Sequence, residues 1–162
     1  MIIMNAEITT VKKKILRWLL DEKYDVKELD DKEKKYYFRF SVSRTSKGPG
    51  FLIVQPKYRS DSLVFLLPLI MGKKEKRAFE TLSKEEREDL ISKLRINVAL
   101  SGTGSILNFH PNPKSFESIH LAKFVYYDGL SKDRFFEIIE VLLNLEAMVL
   151  FTFFKPLSKV ST

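Results

Sequence analysis

The sequence predicts an α+β domain, an antiparallel sheet flanked by helices in the order α-β-β-β-β-α-β-β-α. Three observations predict it. Segments near each end, 8–19 and 131–155, carry apolar residues at helical spacing. Between residues 24 and 67 lie four short strand-like runs, joined by turns too short for the crossovers that parallel strands need. Helices set apart from a run of strands distinguish α+β from alternating α/β folds.

In the first helix, Ile8, Val11, Ile15, Leu16, Trp18 and Leu19 share one face, with Lys13, Lys14, Arg17 and Asp21 opposite and Asn5 or Thr9 as the cap. Tyr24 to Leu29 reads as a short strand and Asp30 to Lys35 as a turn. Tyr36, Phe38, Phe40 and Val42 alternate with Tyr37, Arg39 and Ser41, a period that sends Phe38 and Phe40 inward and Arg39 outward. Phe51 to Gln55 is a third strand halted by Pro56, and Leu63 to Leu67 a fourth halted by Pro68. Gly72 to Arg77 reads as a charged connector. Ser83 and Glu86 form a capping box for a helix through Leu90, Ile91, Leu94 and Val98, ended by Gly102. Two more strands, Ser105 to Phe109 and Ile119 to Tyr127, flank a loop at His110-Pro111-Asn112-Pro113. Asp128-Gly129 turns the chain, with Gly129 suited to a positive φ, and Ser131 caps the last helix.

At 162 residues the chain is read as a single domain, 1–162, large enough to bury roughly 70% of its unfolded surface without covalent staples. It contains no cysteine, which excludes disulfides, thiol catalysis and thiolate metal sites. That composition, rich in Lys and Glu, suits a cytoplasmic protein and a thermophilic source. Met1 to Asn5 lacks the basic start and apolar length of a signal peptide. Glu137, Glu140 and Glu146 make the last apolar segment a poor membrane span.

The net charge of +7 is concentrated. Residues 36–82 hold nine basic groups against three acidic ones. Arg39, Arg44, Lys47, Lys57 and Arg59 are interleaved there with aromatic residues, the pattern by which single-stranded nucleic acid is held. A nucleic-acid-binding protein is therefore the alternative reading, although the alternation sends most of those aromatics to the core.

No catalytic, cofactor or metal site is expected. His110 and His120 are the only histidines and lack helical spacing. Gly102-Thr103-Gly104-Ser105 follows a helix, the wrong order for a phosphate cradle. The strongest pointer is the final helix. Its polar stripe of Asp133, Glu137, Glu140 and Asn144 continues into Ala147, Met148 and Phe151, so no solvent face remains. A helix apolar all round is buried all round, by its own domain or by a second chain. Met148, Phe151 and Phe154 are the candidate interface, with Val149 and Phe153 divided between core and interface. Glu146 falls amid the apolar face and calls for a cation or an opening between subunits.

Gln55-Pro56-Lys57, the opening Ile15-Leu16-Arg17-Trp18-Leu19-Leu20 and the stretch from Tyr126-Tyr127-Asp128-Gly129 through Phe136 carry a resemblance. Over nearly its whole length the chain resembles a family of small archaeal proteins of unknown function. Its order of elements also looks like the type III secretion chaperone-like fold. That resemblance implies a fold, dimerisation and a protein-binding habit, but no substrate. The expected function is thus a non-enzymatic interaction or chaperone-like module, homodimeric, with a further protein partner of unknown identity and no membrane.

Overall fold

A computed structural model describes residues 2–44 and 50–160. The fold is α+β with a six-stranded antiparallel sheet. The elements are α1 (Ile2–Asp21), β1 (Asp25–Glu28), β2 (Tyr36–Ser43), β3 (Gly50–Pro56), β4 (Ser62–Ile70), α2 (Lys73–Thr81), α3 (Lys84–Leu100), β5 (Ile106–Asn112), β6 (Ser115–Tyr126), α4 (Lys132–Val149) and α5 (Lys155–Val160). A 3-10 turn at Tyr127–Gly129 precedes α4, and a π turn at Leu150–Phe154 joins α4 to α5. Strands follow the order β1-β2-β3-β4-β6-β5.

The chain divides into two compact units, with β4, β6 and α4 running through both. The first comprises Met1–Leu66 and Phe124–Ile138. Here α1 buries Ile8, Val11, Ile15 and Leu19, the stripe that its 3.6-residue period specifies. Strand β2 pairs with β3 with Phe40 opposite Ile53, and the alternation puts Phe38 and Phe40 in the core. Phe135 is wholly buried, its ring 5.6 Å from Trp18 and 5.2 Å from Phe65. Each such large side chain contributes about 1.5–3 kcal/mol by leaving water.

The second unit comprises Leu67–Lys123 and Ile139–Thr162. Its centre is aromatic: Phe116 lies 4.9 Å from both Phe79 and Phe109 and 5.7 Å from Phe153. On α3, Ile91, Leu94 and Val98 face this core, and the Ser83–Glu86 capping box is formed reciprocally. Beyond it Gly102 adopts φ 63°, as a helix terminator does.

Several elements depart from the sequence reading. The connector at 72–77 is the first part of α2; Ala78 and Phe79 anchor it in the core, a stripe too short to show among the charges. Strand β4 runs past Pro68, but its pairing with β3 reaches only to Leu66, so no β3 partner needs a proline N–H. His110, Pro111 and Asn112 belong to β5, an edge strand, where proline is tolerated. Helix α1 begins at Ile2, so neither Asn5 nor Thr9 caps it. Gly129 lies in the 3-10 turn and is not among the glycines with positive φ. Among the described residues, no helix is long and apolar enough to cross a membrane.

Candidate functional site

The Gln55 and Tyr127 motifs meet in the first unit. Gln55 is wholly buried. Its Oε1 accepts from the Tyr127 hydroxyl, and its Nε2 donates to the carbonyl oxygens of Arg59 and, at 3.4 Å, Pro56. The Tyr127 N–H donates to the Asp61 carbonyl at 2.9 Å. The β3–β4 turn is thereby tied to the 3-10 turn that launches α4. Burial, then the neighbouring Glu7, Asp61 and Tyr37, holds the Tyr127 phenol above its ordinary pKa, so it stays a donor. Ser62 beside this turn is wholly buried with its hydroxyl unpartnered. The sequence signal for the lock is Gln55 itself, one polar residue ending the apolar run Phe51-Leu52-Ile53-Val54.

The C-terminal helix presents a mixed surface. Val149 and Phe153 are wholly buried and Phe154 nearly so, which places them in the core of their own unit. The π turn is the reason for Phe154. A wider turn advances less per residue than the 100° of an α-helix, so Phe154 lags onto the core side. Met148 is half-buried, whereas Leu150 and Phe151 are 45% and 65% exposed. All-round burial within one chain therefore fails at Phe151. Glu146 is half-buried, and burial alone raises its carboxyl pKa. No hydrogen bond or ion pair reaches it among the described residues. Lys155 Nζ sits 4.9 Å from the Phe151 ring centroid. Helix α3, which packs on this turn, adds exposed Ile96 and Leu100, an i,i+4 pair that sequence reasoning missed.

Of the aromatics interleaved with the basic strand residues, Tyr58 is exposed and Tyr36 and Tyr37 are half-buried. Phe38, Phe40 and Phe51 are core. Arg39 lies 5.1 Å over Tyr36, Lys57 5.9 Å over Tyr37 and Arg59 4.8 Å over Phe124. Arg44 Nε donates to the Tyr24 hydroxyl at 3.3 Å. Lys47 lies outside the described residues. A separate basic hollow of about 510 Å³ groups Lys13, Lys14, Arg17 and Lys132 around Trp18. Its charge is partly cancelled, since Lys132 pairs with Glu22 at 2.7 Å and Arg17 with Asp21 at 3.9 Å.

His110 and His120 stack in the second unit with centroids 5.5 Å apart. His120 Nε2 is 2.9 Å from the Ser118 hydroxyl. Burial, then the charge of His110, lowers the His120 pKa.

A family model described as an uncharacterized conserved protein, DUF2299, matches residues 11–153. The chain belongs to this family. Its DUF2299 match takes in all three motifs behind the resemblance. No curated protein matches the chain. Among solved structures it is similar to an uncharacterized protein from Methanothermobacter thermautotrophicus, at 21% identity and a TM-score of 0.77. That similarity covers 90% of this chain and 98% of the other, and it shows the fold alone.

Proposed function

We propose that the chain is a non-enzymatic, chaperone-like interaction module that pairs with a second copy of itself through the α4–α5 junction. The exposure of Leu150 and Phe151 beside a half-buried, unpaired Glu146 carries the reading. Apolar surface of this kind gains by leaving water, and Glu146 gains by meeting a cation. Lys155 supplies that cation on the same surface. A patch holding both signs is self-complementary across a two-fold axis, so Glu146 of one copy meets Lys155 of the other. A standard interface buries about 800 Å² per partner, more than two side chains provide. Ile96 and Leu100 extend the apolar surface toward that area.

Strand addition is the less favoured route to pairing. Edge strand β1 is short and charged, and edge strand β5 carries Pro111 and a register shift. The nucleic-acid alternative gains no better support, because most of its cations already cover aromatic rings of their own unit.

A charge-exchange series tests the pairing. Glu146→Lys and Lys155→Glu should each weaken self-association, and their combination should restore it. Failure of the combined variant to recover would remove Lys155 as the partner. Steeply salt-dependent binding to single-stranded RNA would instead favour the alternative.

A further inference from the structure

The second unit holds a half-enclosed hollow of about 240 Å³ at the start of α3. Its apolar walls are Phe79, Ile91 and Pro113. Charged residues at its edge are Lys84, Arg87, Lys114 and Glu88. Glu88 lies 3.9 Å from Lys84, so these two largely offset each other. Arg87 and Lys114 remain as net positive charge. Arg87 also lies against the lining, its guanidinium 6.0 Å from the Phe79 ring centroid.

Two physical requirements narrow the ligand. Apolar walls give nothing to a hydrated inorganic anion but favour a small apolar group. A guanidinium at the edge offers a planar fork that matches a carboxylate. Size sets the upper limit. The volume equals about eight waters at ~30 Å³ each and falls below the roughly 300–1,000 Å³ of drug-sized pockets. A single ring or branched chain fits; a nucleotide or dinucleotide does not.

We propose that this hollow binds a small organic carboxylate bearing one aromatic or branched apolar group. The apolar group lies on Phe79, Ile91 and Pro113, and the carboxylate faces Arg87 and Lys114.

Titration of the full chain with phenylacetate and with its uncharged isostere phenylacetamide, followed by amide chemical shifts, tests this. Phenylacetate should saturate with shifts confined to 79–91 and 113–114. The amide should bind about tenfold more weakly, the effect of one charge-assisted hydrogen bond. Arg87→Gln, which keeps much of the side chain's length but removes its charge, should abolish the preference for the acid. Ile91→Trp should fill the hollow and abolish both. Equal binding of acid and amide, or shifts elsewhere, would overturn the assignment. Tighter binding of an acetylated peptide ending in Phe would overturn it in favour of a protein terminus.

Discussion

Gln55 and Tyr127 show how one buried polar pair fixes a fold locally. Both amide hydrogens and the oxygen of the Gln55 side chain have a protein partner, and satisfied groups of this kind cost little to bury. Tyr127→Phe leaves Oε1 unpaired and should cost about 1–3 kcal/mol in denaturant unfolding. Gln55→Leu combined with Tyr127→Phe should cost clearly less than the sum of the two single changes, because neither half of the Oε1–hydroxyl pair is then left without the other. Glu146 behaves oppositely. Its folded pKa is raised, so the folded chain favours the protonated form, and that contribution is lost as pH rises through the folded value. Glu146→Gln should therefore stabilise the monomer at neutral pH and give no advantage in acid, as thermal melts across pH will show. The same substitution should weaken self-association. Its anomalous place on an apolar face was legible in the sequence; the Tyr127 partner of Gln55 was not, because they are far apart in the chain and no local period links them.

At the scale of elements, caps and anchors decide. The Ser83 hydroxyl accepts from Glu86 N–H at 3.2 Å, and the Glu86 carboxylate accepts from Ser83 N–H at 2.7 Å. Ser83→Ala should cost about 1 kcal/mol of stability in chemical unfolding. Ser131 plays the same part for α4 through the Arg134 N–H at 3.1 Å. Both caps could be read from local sequence, since their signal is confined to one helical turn. The final helix could not be read to its end. Its α period projects correctly through Val149, then the π turn shifts the phase and draws Phe154 inward. Phe153→Ala should cost about 3–5 kcal/mol, whereas Phe151→Ser should change monomer stability by less than about 0.5 kcal/mol in the same unfolding assay. Helix α2 was hidden by its charge run for a related reason: two buried residues, Ala78 and Phe79, are enough to hold nine residues on the core.

For the whole molecule, the α+β class and the antiparallel pairing followed from spacing alone, because short turns leave few topologies open. The division into two compact units did not, since β4, β6 and α4 pass through both without a linker. Assembly lies further from the sequence, because an exposed phenylalanine is a surface fact that only packing reveals. Pairing through Leu150, Phe151, Glu146 and Lys155 is the central claim. Sedimentation of the full chain over a range of concentrations tests it most directly. The mass should rise from 18.9 kDa toward twice that value, and Phe151→Ser should hold it at 18.9 kDa without loss of folding. A wild-type mass that stays at 18.9 kDa throughout, or a Phe151→Ser variant that dimerises as well as the wild type, would contradict it.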